Sequence, residues 1–176
     1  QKNAETPDSQ TVKVLAYLNA ENAYADAMMK HTEPLQEKLF EELKGRIKQD
    51  DQTVPYLDNG YYYYSRFEKG KEYPLYCRKK GTLDAAEEIM INVNDLARGF
   101  SYFSVAGLSV SPDNTILAYS VDSVSRRKYE IRLKNLMTGL DLADRIPETT
   151  GGVAWANDNK TFFYTRTNAV TLRSER

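Results

Sequence analysis

The sequence is short of the residues that most small-protein chemistry needs. Its 176 residues include one cysteine, Cys77, and one histidine, His31. A single cysteine excludes an internal disulfide and any cysteine-rich zinc site. A single histidine excludes the common histidine-pair metal motifs. An excess of charge of either sign is missing too. Lys and Arg total 24 against 25 Asp and Glu, a formal net charge of -1. That excludes a strongly basic nucleic-acid binder and a polyanionic tail. No apolar run approaches the roughly 18 residues of a membrane span. No basic-then-apolar leader opens the chain, and Gln1 stands where Met would start a nascent one, so any signal peptide is expected to have been removed already. What remains is a globular composition, 41% hydrophobic and 28% charged, with room for one domain or one domain and a helical appendage.

The two halves have different periods. Residues 1–10 are polar and read as a loose lead-in. Over residues 11–31, Val14, Leu15, Leu18, Ala25, Met28 and Met29 recur at helical offsets, with alanine frequent and glycine absent. Thr32 is placed to cap a second helix, with Pro34 in its first turn. Leu35, Leu39, Leu43 and Ile47 then step by four, and Phe40 widens the stripe. The expectation for both stripes is core packing, with a partner-binding face as the alternative. After Asp51 the period falls to two, clearest where Tyr129, Ile131 and Leu133 alternate with Glu130, Arg132 and Lys134. Short runs at Tyr61–Phe67, Pro74–Arg78, Glu88–Val93, Ile116–Val121, Tyr129–Leu136 and Thr161–Thr165 lie between glycine, proline and Asn-Gly punctuation. They predict antiparallel strands.

A repeat sets the architecture. Asp58-Asn59, Asp113-Asn114 and Asp158-Asn159 each precede an apolar or aromatic run that closes on Tyr then Ser or Thr. They are spaced by 55 and 45 residues. Asp-Asn favours a tight turn, because both side chains bond nearby backbone and tolerate left-handed conformations. The approach strand repeats as well, with Gly107–Ser111 laid over Gly152–Ala156. Repeats of 40 to 50 residues with about four strands each predict β-propeller blades. The fold class is therefore α+β: a helical extension over residues 1–52, then over 53–176 two blades and the start of a third. A propeller ring needs more blades than this, and Thr171–Arg176 close no element. The chain is expected to be a fragment. Its open first and last blades should make it self-associate.

Several segments together resemble the start of the prolyl oligopeptidase family. They are Tyr17–Tyr24, Leu35–Leu39, Arg46–Asp51, Tyr61–Arg66, Lys71–Pro74, Val110–Asp113 and Leu117–Asp122. The similarity runs from about residue 12 to the end and leans to the oligopeptidase B (protease II) branch. A dipeptidyl-peptidase-type relative fits the Arg46–Asp51 and Tyr61–Arg66 motifs less well. The resemblance implies a serine peptidase that cleaves short peptides after Lys or Arg. A propeller would restrict access to a C-terminal α/β-hydrolase domain of the same chain. The N-terminal helices would pack on that hydrolase domain. The triad and the acidic groups that read the basic side chain would lie in later sequence. The resemblance also implies the cytoplasm, whereas a processed Gln1 would imply the periplasm. Propeller repeats alone also fit a free-standing interaction scaffold.

No catalytic, cofactor-binding or metal residue is assigned within these 176 residues. There is no Gly-x-Ser-x-Gly elbow, the turn that exposes a hydrolase serine. His31 reads as a surface residue at a helix end, and Cys77 as a strand residue without special reactivity. Arg78 and Lys79 beside it are of the sign that lowers a thiol pKa. Arg126, Arg127 and Lys128 read as a solvated hairpin tip. A contact with the hydrolase domain or another subunit is the alternative. The family pattern has a Gly before that Arg pair, where this chain has Ser123-Val124-Ser125. Trp155 is expected in the core at a blade interface.

Overall fold

The computed structural model describes residues 8–168 and the pair Ser174–Glu175. The lead-in through Pro7, and Thr171–Arg176 apart from that pair, lie outside these residues. The chain divides into two compact units, one ending at Lys48 and the other beginning at Gln49.

The first unit is helical. Helix α1 spans Ser9–Met29 and α2 spans Glu33–Gly45, with a single 3-10 turn at Lys30–Thr32 between them. Asp8 starts α1 by accepting the Thr11 amide at 2.7 Å, a bond that satisfies one of the orphan donors of the first turn. Pro34 stands in the first turn of α2 as expected. Thr32 occupies the N-cap position, but its hydroxyl caps no amide. It donates instead to the Met29 carbonyl at 2.6 Å and accepts from Gln36 Nε2 at 2.7 Å. The expectation of core packing for the two stripes fails: neither helix buries a single residue. Leu18, Leu35, Leu39, Phe40, Leu43 and Ile47 are all exposed. Helical periodicity shows that a face is apolar, not what covers it. Among the described residues no helix is long and apolar enough to cross a membrane.

The second unit is built of curled antiparallel sheets. Strands β1 (Tyr56–Asp58), β2 (Tyr61–Arg66), β3 (Leu75–Lys80) and β4 (Glu87–Asn92) form one four-stranded meander. A four-residue helix, α3 (Val93–Leu96), leads out of it. Strands β5 (Ser104–Val110), β6 (Ile116–Asp122), β7 (Tyr129–Asn135) and β8 (Asp141–Trp155) form a second meander. β8 is 15 residues long and does two jobs. Its first part pairs with β7 through Asp141, Arg145 and Ile146. Its second part pairs with β9 (Phe162–Thr167) through Val153, Ala154 and Trp155. Positive φ at Glu148 and Gly151 bends the strand between the two. The outer strand of one blade thus runs directly into the first strand of the next, which β10 (Ser174–Glu175) extends.

The core lies between the first and second meanders. Tyr61, Tyr63, Ile91, Val93, Phe103, Leu117, Tyr119 and Val121 form one buried cluster. The tyrosine-rich sequence is explained here, since alternate tyrosines of β2 supply large apolar area and keep a hydroxyl to bond at the edge. All three repeat asparagines adopt left-handed conformations, with φ of 44° at Asn59, 63° at Asn114 and 61° at Asn159. Asp113 Oδ1 accepts the Thr115 amide at 3.1 Å, and Asp158 Oδ1 accepts the amides of Lys160 and Thr161 at 3.0 and 2.9 Å. The Ser111 and Thr115 hydroxyls, donating to Asp113 Oδ1 at 2.6 and 2.8 Å, do most to hold that carboxyl below the usual range, and the Lys160 amide does most to hold Asp158 at about 2. The Asp58-Asn59-Gly60 turn is a tighter hairpin, in which Gly60 takes φ 81° and Asp58 pairs directly with Tyr61. Positive φ at two successive turn residues gives the twist that a two-residue hairpin needs.

Candidate functional site

Each residue singled out in the sequence now has a place. His31 is exposed, and its Nδ1 lies 2.9 Å from the Met28 carbonyl. That ring nitrogen serves the end of a helix, not a nucleophile. Cys77 is fully buried in β3, packed with Tyr64 and Leu75. Side chains alternate along a strand, so Arg78 leaves on the opposite face. The charges that reach the thiol are Glu87 and Arg66, and burial together with Glu87 pushes Cys77 up to about 11. The protonated thiol is a packing group. Trp155 is half-buried, with its indole N–H donated to the Ser109 carbonyl at 3.1 Å and its ring edge-on to Phe162. It bridges β5 and β8 at a blade interface, as expected, but it is half-buried at the seam and not part of the buried core.

The loop without the family glycine is held by another device. Ser125 and Arg127 take φ of 57° and 55°, conformations that glycine adopts at less cost. Buried Asp122 fixes them. Its carboxylate accepts the amides of Val124, Arg126 and Arg127 at 2.9, 3.0 and 2.8 Å. Arg126, Arg127 and Lys128 stand exposed on the loop.

Sequence reasoning passed over two ionic groups. On one face of the first meander, Arg66 clamps Glu87 with Nε 3.1 Å from Oε2 and Nη2 2.8 Å from Oε1. The Tyr64 hydroxyl donates to Glu87 Oε2 at 2.5 Å. Arg66 does most to draw the Glu87 carboxyl from 4.5 to about 2, against the opposing pull of partial burial. A depressed carboxyl stabilises the fold above its unfolded value and loses that contribution as pH falls through the folded one. We expect Glu87→Gln to flatten the stability profile between about pH 4.5 and pH 2, read from unfolding midpoints across that range. A profile with the wild-type slope would refute the linkage. On the opposite face, Arg78 is buried at 1% exposure and ion-pairs with Glu88 Oε2 at 2.7 Å. Its guanidinium sits 4.1 Å from the Tyr61 ring centroid. Neither pair could be found from spacing: Arg66 and Glu87 lie 21 residues apart, and three cations in a row at Arg78–Lys80 do not show which one faces inward.

A cleft of about 520 Å3 opens between the first two meanders. Tyr56, Tyr63, Tyr76, Met90 and Leu117 line it, and Asp58 is the one charged residue in its wall. A lone carboxylate among aromatic and apolar groups offers no acid–base pair. Among the described residues, no group of three or more His, Cys, Asp or Glu could hold a metal ion.

The geometry defines the first blades of an antiparallel β-propeller, preceded in sequence by a helical segment. The chain belongs to the prolyl oligopeptidase family: residues 5–176 match its N-terminal β-propeller domain. It is 42% identical to dipeptidyl aminopeptidase BI of Pseudoxanthomonas mexicana, over 93% of this chain and 25% of that protein. It is 32% identical to protease 2 of Moraxella lacunata, over 90% of this chain and 24% of that one. Oligopeptidase B from Leishmania major superposes with a TM-score of 0.78 at 32% identity, covering 92% of this chain and 23% of that structure. The chain thus spans about a quarter of the length of the relatives it matches. In such relatives the propeller is joined to a C-terminal hydrolase domain in the same chain.

Proposed function

We propose that this chain is the non-catalytic N-terminal part of a serine oligopeptidase that cleaves short peptides after Lys or Arg, with its blades gating access to the hydrolase domain. The supporting observation is the propeller match over residues 5–176. On this reading the exposed stripe from Leu35 to Ile47 docks on the hydrolase domain, since an apolar face of that length is costly to leave in water. The exposed Phe163 belongs to a face that the next blade covers, and the isolated segment self-associates through it. The protein works in the cytoplasm.

A second reading rests on the relative named dipeptidyl aminopeptidase BI, which is 42% identical. An enzyme of that description removes dipeptides from a free N-terminus. One assay separates the readings: fluorogenic peptides ending in Arg before the reporter, N-blocked and N-free, tested on the full-length protein and on a version lacking this segment. Cleavage of the blocked peptide by the full-length protein alone supports the first reading. Cleavage of only the free peptide supports the second. Inactivity of the full-length protein on both would favour a scaffold, and full activity without this segment would refute gating.

A further inference from the structure

Each repeat turn touches the next. Asn59 Nδ2, in the first meander, donates to the Pro112 carbonyl of the second at 2.6 Å. Asn114 Nδ2 returns a bond to the Asn59 carbonyl at 3.2 Å. From the other side, the Asp113 amide donates to Asn159 Oδ1 at 2.8 Å. These contacts span 53, 55 and 46 residues, close to the spacing of the repeat. Two more groups of the first meander converge on the middle turn. The Tyr63 hydroxyl donates to Asn114 Oδ1 at 3.3 Å, and Arg78 Nη1 donates to the Asn114 carbonyl at 3.1 Å.

The division of labour within each Asp-Asn pair follows. In the second and third turns the aspartate bonds its own loop, through Thr115 at Asp113 and through Lys160 and Thr161 at Asp158. The asparagine backbone takes the left-handed position, which frees its amide to bond elsewhere. Aspartate could adopt the same φ, but it lacks the N–H2 donor that Asn59 and Asn114 use. Water competes for the exposed bonds of Asn59. The bonds from Tyr63 and Arg78 are partly buried, where water competes less. The strength of the contact is therefore concentrated on Asn114.

We propose that the asparagine of each Asp-Asn turn is an inter-blade latch, with Asn114 its strongest member, that binds neighbouring blades along one rim so that they move as one piece. Apolar packing between blades is non-directional. Paired side-chain amides add direction and fix the register of one blade on the next.

The test is hydrogen exchange of the full-length protein with three variants. Asn114→Gly keeps the left-handed turn and removes both side-chain bonds. Tyr63→Phe removes only the hydroxyl. The double variant combines them. For Asn114→Gly the decisive amides lie across the seam, in the Asp58–Tyr63 hairpin; Tyr63→Phe, which lies in that hairpin, is read in addition at the Asn114 and Thr115 amides on the far side. Asn114→Gly should speed exchange of the hairpin by about tenfold, as expected for losing bonds of ordinary strength, with β7 unchanged. Tyr63→Phe should give a smaller increase and add nothing to Asn114→Gly, because the two share one bond. Wild-type exchange of the hairpin in Asn114→Gly would overturn the proposal. So would equal acceleration in β7, or full additivity of the two substitutions.

Discussion

Gly107→Ala is expected to unfold the seam between the second and third blades. Gly107 lies in the irregular part of β5, between Ala106 and Ser109, at φ 59°. A Cβ there would overlap the Gly151 carbonyl oxygen, a backbone atom that no rotamer can move. Gly151 needs to be glycine on its own account, because at φ 95° a Cβ on it would meet the Tyr129 ring at 2.9 Å. Two costs add: forced separation of two backbones and a left-handed conformation for a residue with a side chain. Together they predict a loss of about 3 kcal/mol or more, enough to remove much of a typical domain's stability. Gly152→Ala is the control. It meets nothing within 4 Å and has no positive φ, so it should shift stability by no more than about 0.5 kcal/mol. Urea unfolding of the full-length variants, with soluble yield, separates the two. Equal behaviour of Gly107→Ala and Gly152→Ala would show that the strand approach is not needed.

Arg78→Ala is expected to be nearly as damaging, although it removes a charged residue. Arginine earns a buried place only when its donors and its flat face are both used, and here they are. The side chain gives one bond to Glu88 Oε2 at 2.7 Å and one to the Asn114 carbonyl at 3.1 Å, and it covers Tyr61. Truncation leaves a cavity, an unpaired carbonyl and an uncovered ring. Glu88 limits the loss, since its side chain is 44% exposed and can be hydrated when the partner goes. The cost should be about 2–3 kcal/mol, below that of breaking a wholly buried pair. Glu88→Gln should cost under about 1 kcal/mol, as for other exposed partners. Midpoints of urea unfolding for the two variants give the comparison. A loss in Arg78→Ala no larger than that in Glu88→Gln would mean that Arg78 acts only through its ion pair.

These two residues also mark how far the sequence could be read. The strand runs emerge at nearly the expected positions, because period two follows directly from the pleat. The left-handed asparagines were legible because few residues accept that conformation. Gly107 and Gly152 aligned as equivalents in the repeat, yet one meets another backbone and the other meets open space. Alignment records residue type, whereas the need for glycine comes from a neighbour 44 residues away. Arg78 was hidden by Lys79 and Lys80, since three cations in a row give no sign of which faces the core. The helical stripes were read as core, and only the folded chain shows them exposed.

The sequence by itself determined the two periods, the Asp-Asn turns, the blade architecture and the family, all properties of local pattern and repeated spacing. The tertiary structure decided which side chains are spent at the seams. It set Arg78 and Tyr63 on Asn114, closed Arg66 on Glu87, buried Cys77 away from its flanking cations and carried β8 from one blade into the next. The physical reason is that turns and strands follow from neighbours a few residues apart. Ion pairs, amide latches and backbone approaches depend on groups some 10 to 55 residues apart, which only the packed blades bring together.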